Sequence, residues 1–320
     1  WPRNTRFFSS PERIAIAGVP IQTVHQEQLT GEHYLAYLRG VVELLDLDIR
    51  TYERVVDIAG RKGDFAVVTQ SRSEKHTYKS RHVVIATGDM NAPRFLGIPG
   101  ERLPHVTHTF DDPHPYFRKK VLVVGGRNSA IEAAIRCFRS GAFVSVSYRK
   151  PHFSKAHVNS RLHLEMSILV RKSKIAFYRE TVPIEISETE AVLADVPAVP
   201  DGHRGEPFRV PTDFVIFCTG FQTDLSLLRS IGAELEEDEG IPVIDDQTME
   251  TSIPGVYLAG TIVSGNKTSD RQFIGTSHHH SERIAEAITG ARVSEVGTIP
   301  GRKYPFARVD LELDTEQQTY

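Results

Sequence analysis

The sequence predicts an α/β protein built on buried parallel strands, and three observations point that way. Short β-branched runs recur that stop at glycine, one of them is followed by a glycine turn and a helix with a single apolar stripe, and a further strand follows that helix. A strand buried on both faces reads as continuously apolar rather than alternating, and a glycine at its end marks a chain that turns sharply or approaches a ligand closely.

In chain order, the first of these runs is Val83-Val84-Ile85-Ala86, closed by Thr87-Gly88. The Pro-rich stretch Asp111-Asp112-Pro113-His114-Pro115 then breaks the pattern and sets a domain boundary near residue 111. Lys120 to Val124 forms a strand and Gly125-Gly126 its turn. A helix follows from about Ser129 to Arg139, because Ala130, Ile131, Ala133, Ala134, Ile135 and Phe138 fall on one i, i+3, i+4 stripe. Gly141 supplies the C-cap, and Phe143 to Tyr148 is the strand that completes a βαβ unit. Pro197 to Pro211 is a Gly/Pro-punctuated excursion, after which Phe214-Val215-Ile216-Phe217 runs into Cys218-Thr219-Gly220. A second boundary falls near 239, and Val256-Tyr257-Leu258-Ala259-Gly260 is a third strand of the same kind. Thr276-Ser277 caps a helix through His280 to Ile288 that Gly290 terminates. In the last segment, Val309-Asp310-Leu311-Glu312-Leu313 allows an edge strand, and a mobile tail is equally compatible with it.

The composition excludes several partners. With 38 Lys and Arg against 41 Asp and Glu in 320 residues, the net charge of −3 leaves no basic excess for nucleic acid or an anionic membrane. No apolar stretch approaches the roughly 18 residues of a membrane span. Two cysteines, Cys137 and Cys218, form neither a disulfide framework nor a C-x-x-C, which fits a reducing cytoplasm. The opening Trp1-Pro2-Arg3-Asn4, without Met or a signal-peptide pattern, reads as the continuation of a longer protein, with ordinary processing or loss of a short tag as the alternative.

Strand, glycine turn and helix start together make an anion site, since the first helical N–H groups lack internal partners and the dipole favours a pyrophosphate. Gly125, Gly126, Arg127, Asn128, Ser129 and Ala130 occupy it. Against G-x-G-x-x-[GA], Gly125 matches the tight-turn glycine and Ala130 the small helix-packing residue, while Arg127 replaces the second glycine and offers a guanidinium to the same anion. After the next strand, where NAD would meet an acidic residue, Arg149 and Lys150 follow Tyr148 instead and suit the 2′-phosphate of NADPH. A solvated strand end is the plain alternative for those two cations.

Two Thr-Gly strands bracketing a dinucleotide unit, then Gly255-Val256-Tyr257-Leu258-Ala259-Gly260 and a capped helix, resemble the flavoproteins in which an NADPH domain is inserted into an FAD domain. Within these the likeness is to the YpdA-type bacillithiol-disulfide reductases, themselves similar to thioredoxin reductase. It runs from about residue 7 to about 290. It is carried by Phe7-Phe8-Ser9-Ser10, Ala86-Thr87-Gly88, Gly97-Ile98-Pro99-Gly100-Glu101, His114-Pro115-Tyr116-Phe117, the turn at 125–130, Thr219-Gly220-Phe221 and Met249-Glu250-Thr251.

The resemblance implies two Rossmann-like, three-layer domains. Residues 1–110 and 240–320 would be the two parts of the FAD domain and 111–239 the NADPH domain. It implies that Val55 meets the adenine through its backbone, that Thr87 and Gly88 border the FAD adenosine, and that Gly260 and Thr261 lie along the ribityl and phosphate. It further implies that the helix from Thr276 points its N-terminus at the flavin, where a helix dipole stabilises an anion. Three departures stand out. Thr261 replaces the usual Asp, the family's N-terminal glycine fingerprint is not in the sequence, and neither Cys137 nor Cys218 matches the family's proposed redox cysteine.

Other residues carry weaker readings. His278-His279-His280 lacks metal-ligand spacing, since adjacent helical residues diverge. His280 either contacts flavin, relays a proton, or is an ordinary polar residue of a helix start. His114 and Tyr116 are structural, and Lys155, Arg161 and Lys172 border the cofactor or face solvent. The function expected is an NADPH-dependent FAD reductase, a homo-oligomer, passing hydride to flavin and electrons on to a small-molecule disulfide such as bacillithiol disulfide. One rival is a flavin monooxygenase, whose F-x-G-x-x-x-H-x-x-x-[YF] signature is only approximated by Gly100 and His105. The other is a non-catalytic NADP-binding fragment or paralogue.

Overall fold

The structure is a computed structural model that describes residues 4, 6–23, 27–196, 205–236, 240–266 and 273–291. Its described residues divide into two compact units: a split unit made of Arg6–Ala92 and the described chain from Phe221 to residue 291, and an inserted unit made chiefly of Pro93–Gly220. The alternating segment at 309–313, part of the 197–211 excursion and Trp1 to Arg3 lie outside the described residues.

The split unit begins with α1 (Pro11–Ile14) and α2 (Gly31–Leu45), followed by β1 (Arg54–Arg61), β2 (Asp64–Gln70), β3 (Lys75–Ser80) and β4 (Val83–Ile85). The short β5 (Ala92–Pro93) leads into the inserted unit, which contains β6 (Val106–Thr107), β7 (Lys120–Val124), α3 (Asn128–Arg139), β8 (Phe143–Tyr148), α4 (Ser160–Arg171) and β9 (Ala176–Arg179). It continues through β10 (Thr181–Ile186), β11 (Glu190–Asp195), β12 (Phe208–Pro211) and β13 (Phe214–Phe217). The chain then returns through β14 (Phe221–Gln222), α5 (Ser226–Ser230), β15 (Val256–Leu258) and α6 (His278–Thr289).

The inserted unit is a three-layer α/β fold. Its central sheet has the order β6-β13-β7-β8-β9, all parallel. Alternation along β7 sorts its side chains. Val121 and Val123 pack with Ala130, Ile131, Ala134 and Met166 of α3 and α4, while Leu122 and Val124 pack with Ile186, Leu193 and Val210 of the antiparallel β10-β11-β12 sheet. Burying each such side chain is worth about 1.5–3 kcal/mol, which is why β7 reads as uninterrupted valine and leucine. The helix predicted from Ser129 begins one residue earlier, and Gly141 follows its C-cap Ser140 with φ +91° as a left-handed stop.

In the split unit, β1-β2-β3 form an antiparallel sheet and β4 pairs with β15 in parallel, Ile85 opposite Leu258. Ile58, Phe65, Ile85, Leu225, Leu228, Val256, Leu258 and Ile262 make its core. Phe7, in the first motif of the family resemblance, packs 5.0 Å from the Tyr34 ring, beside buried Ile14 and Leu29. The units change over at 92/93 and 220/221, where composition pointed to 111 and 239. Pro punctuation misses these joins because 93–110 supplies the edge strand β6, while Leu225 and Leu228 after 221 belong to the split unit's core. The first apolar run also departs from expectation. Val84 is 46% exposed while its neighbour Ile85 is buried, so only one face of β4 is covered.

Candidate functional sites

In the inserted unit the polypeptide leaves β7 through Gly125 at φ +137°. A Cβ there would lie 2.7 Å from the Cys218 carbonyl oxygen and 3.1 Å from the Ala130 Cβ, so the close approach of β13 and α3 requires glycine. The turn is tied on both sides: the Gly125 amide donates to Ser147 O at 3.0 Å, and the Cys218 amide donates to Val124 O at 2.8 Å. Because α3 leads to β8 on one side of β7 and β13 lies on the other, the turn sits where the strand order reverses, the place open parallel sheets use for nucleotides.

Arg127, extended at φ −105°, is the N-cap residue of α3 and gives it no side-chain cap, so the helix start keeps its amide character toward an anion. Asn128 accepts from the Asn159 amide at 2.8 Å, and Asn159 in turn caps α4 by accepting from Arg161 N at 3.1 Å. Asn128 therefore braces the starts of two helices. Ser129 is exposed and Ala130 is buried beneath Gly125. Register places Val124 opposite Ser147, so the glycine turn and Tyr148-Arg149-Lys150 leave the sheet side by side. Arg127, Arg149 and Lys150 are all exposed at this edge. Lys155, Arg161 and Lys172 are exposed too.

In the split unit, β4 and β15 end in Thr87-Gly88 and Gly260-Thr261. Gly88 (φ +75°) and Gly260 (φ +77°) are both left-handed, a Cβ on Gly88 would find Thr261 Oγ1 at 3.5 Å, and one on Gly260 would meet open space. Thr87 is exposed, and Val55 stands on β1 beside a register shift. Thr276 closes a one-turn 3-10 helix, Ile274–Thr276, its Oγ1 accepting from Phe273 N at 2.9 Å. The expected Thr276-Ser277 cap is corrected here: α6 starts at His278, and Ser277 Oγ donates to Ile274 O instead of accepting from the helix. Gly290 terminates α6 at φ +70° as expected.

The residue that links this cradle to α6 is His280. It is 2% exposed, and its Nδ1 accepts from the Gly260 amide at 3.1 Å. Burial, with His279 and Arg283 adding to it, lowers its pKa to about 4. The ring is therefore neutral at pH 7, and the amide bond leaves its proton on Nε2. His278 Nε2 meets Arg13 O at 2.9 Å and His279 stacks edge-on against His280 at 4.4 Å, so the three histidines serve three different contacts.

Burial pushes both thiols, Cys137 and Cys218, up to about 12, which keeps them protonated and unreactive at neutral pH. Tyr116 packs edge-on against Phe214 at 5.2 Å, and His114 begins the 3-10 turn before it. Gly100 and His105 dock on the β10 region: a Cβ on Gly100 would collide with Ile186 O, and His105 Nε2 lies 3.0 Å from Ser187 O.

Sequence reading missed the work done by Glu101, which is 4% exposed. Its carboxylate accepts from the amides of Leu96 (2.8 Å), Gly97 (2.8 Å) and Ile98 (3.4 Å) and meets His108 Nε2 at 3.1 Å. Burial raises its pKa, but these donors outweigh burial and hold it below the ordinary range. The carboxylate thus knots the loop that enters the inserted unit. The signal available was its motif, Gly97-Ile98-Pro99-Gly100-Glu101, where an acid follows a glycine-rich turn.

Comparison with known proteins agrees with this architecture. Residues 1–260 match the family model described as pyridine nucleotide-disulphide oxidoreductase. The chain is 33% identical over 288 residues to bacilliredoxin reductase Bdr of Bacillus subtilis, covering 90% of this chain and 85% of that one. Bacillithiol disulfide reductase Bdr (YpdA) from Bacillus cereus has a solved structure that matches with TM-score 0.81 and 32% identity, over 90% of this chain and 86% of that one. Lactococcus lactis thioredoxin reductase matches with TM-score 0.68 at 21% identity, over 90% and 85% of the two chains, a likeness of fold.

Proposed function

This chain belongs to the pyridine nucleotide-disulphide oxidoreductase family, and from that premise we propose that it is an NADPH-dependent FAD reductase that delivers electrons to a low-molecular-weight disulfide. Bacillithiol disulfide is the leading acceptor, since the name of the B. cereus relative describes reduction of that compound and the chain covers most of it. Flavin and a pyridine nucleotide belong to the chemistry of the family. FAD and NADPH are the particular pair that the residues favour.

The observation that carries this reading is the edge of the inserted sheet, where the uncapped start of α3 and the exposed Arg127, Arg149 and Lys150 lie together. Gly125 keeps the turn against β13, so backbone amides meet the pyrophosphate while Arg149 and Lys150 supply the charge that a 2′-phosphate needs. In the split unit, the space over Gly260 and the left-handed turn at Gly88 suit a second dinucleotide, with Thr87 and Thr261 as neutral hydroxyl contacts and the Val55 backbone beside the adenine. Bound there, FAD would supply the two-electron chemistry that links a hydride donor to a disulfide. His280 keeps the Gly260 amide oriented without titrating near neutrality, and the start of α6 after Thr276 directs its dipole toward the flavin.

Neither Cys137 nor Cys218 supplies a thiolate in this reading. The two residues that approximate the monooxygenase signature, Gly100 and His105, are engaged in docking the loop on β10, which removes their support for that rival. Among the described residues no helix is long and apolar enough to cross a membrane. A cytoplasmic homo-oligomer completes the proposal.

The test is steady-state consumption of NADPH by the purified yellow protein with bacillithiol disulfide as acceptor. Turnover that depends on the disulfide supports the reading. Turnover with oxygen alone, unaffected by the disulfide, contradicts it and favours oxygen chemistry, and a colourless, inactive protein favours a non-catalytic nucleotide binder.

A further inference from the structure

Gly126, beside the tight-turn glycine, poses a question that the fingerprint does not answer. That position of the pattern accepts any residue, and Gly126 is not among the left-handed glycines, so backbone conformation does not demand glycine there. Space does. A Cβ on Gly126 would lie 2.5 Å from Cγ, Cδ1 and Cε1 of Tyr148, inside the ring's van der Waals surface. The ring has little room to yield, because it stacks on Phe153 (5.8 Å, 14°), which is 7% exposed and stacks in turn on Phe177 (4.4 Å, 26°). Tyr148 is also the last residue of β8, next to Arg149 and Lys150, and Gly125 bonds to its neighbour Ser147.

We propose that Tyr148 is a positioning residue of the pyridine-nucleotide site: its ring, backed by Phe153, rests on Gly126 and sets the height of the turn whose amides face the pyrophosphate. The proposal rests on reading the inserted unit as that site, and it extends the reading to a side chain that need not touch the nucleotide. Since the pyrophosphate is common to both nucleotides, loss of the ring weakens NADP+ and NAD+ alike, unlike loss of a 2′-phosphate cation.

The experiment is a mutant cycle of Gly126→Ala, Tyr148→Ala and the double variant, with Tyr148→Phe as the conservative control. Each is purified as the full chain and titrated by calorimetry with NADP+ and NAD+, and flavin content and melting temperature are recorded alongside. Gly126→Ala alone is expected to raise both dissociation constants about tenfold or more, a tenfold change being the scale of one overpacked methyl. In the Tyr148→Ala background the same substitution is expected to add little, and Tyr148→Phe is expected to bind like wild type. Equal penalties for Gly126→Ala in both backgrounds would overturn the proposal. So would a Tyr148→Ala protein that melts lower yet binds both nucleotides unchanged, since the ring would then be merely structural. A wild-type protein that takes up flavin but binds neither nucleotide contradicts the nucleotide reading itself, and the proposal falls with it.

Discussion

The two glycine cradles of this protein are built on opposite plans. In the inserted unit, the turn, the helix start and the cations all come from one stretch, β7 through α3 to the end of β8. In the split unit, the proposed parts come from β1 and the end of β4, before the inserted unit, and from the end of β15 and the start of α6, after it. As proposed sites, the first would rely on exposed charge and a crowded turn, and the second on open left-handed glycines, neutral hydroxyls and a buried neutral histidine. The two should therefore fail in different ways, and each can serve as the internal control for the other.

The largest expected effect is that of Gly125→Ala. The substitution forces a side chain into left-handed backbone against Cys218 O, a cost of about 2–4 kcal/mol to the inserted unit. Calorimetry should show nucleotide binding weakened about a hundredfold or more, while the flavin spectrum of the split unit persists. Loss of both together would mean that the cradles are not independent.

Next in size is His280→Leu, which leaves the Gly260 amide without its acceptor. The expected loss is about 1–3 kcal/mol of unfolding free energy in the split unit, read as a lower denaturant midpoint, with flavin released more readily. His280→Asn, which returns an acceptor near the same place, should recover part of it. An unchanged midpoint in the leucine variant would remove His280 from the cradle.

Acid separates the units further. The unfolded His280 imidazole takes up a proton near its ordinary 6.5, whereas the folded one resists until about 4, so stability falls as pH drops through that window, on the order of 3 kcal/mol in all. Glu101 behaves differently. Its folded pKa lies below the ordinary range, so its contribution to the inserted unit is present above the unfolded carboxylate value and is lost only as pH falls through the lower folded one. Melting curves at stepped pH should show the split unit weakening first, and His280→Asn should flatten that limb. Simultaneous loss of both units would contradict the assignment.

The smallest effect expected is that of Arg149→Ala, which should raise the NADPH requirement about tenfold and leave NADH nearly unchanged. Added salt should narrow the gap, because the side chain is exposed. Equal losses for the two nucleotides would move the 2′-phosphate contact elsewhere.

The same contrast explains what could be read from the chain without a structure. The strand–turn–helix–strand frame of the inserted unit was legible because helical periodicity at 130–138, strand runs and glycines lie within a few residues of one another, and the elements fall within a residue of where the pattern places them. The split cradle had no contiguous motif, and family resemblance alone suggested its residues. What stayed hidden depends on which side chain meets which partner, a choice that periodicity does not encode. His280 meets Gly260 across 20 positions, and Ser277 turns back to Ile274 rather than capping α6. Glu101 collects amides along with a histidine, and Gly126 is small because of Tyr148. An apolar run likewise does not say how many of its faces are covered, as exposed Val84 shows.

The most direct test of two cradles serving one reaction is an anaerobic titration of the purified chain, loaded with FAD, by NADPH while the flavin colour is followed. Bleaching that is complete near one equivalent of NADPH, and markedly slower with NADH, is the result this account expects. A protein that holds FAD yet keeps its colour under excess NADPH, or that never holds FAD, would contradict it.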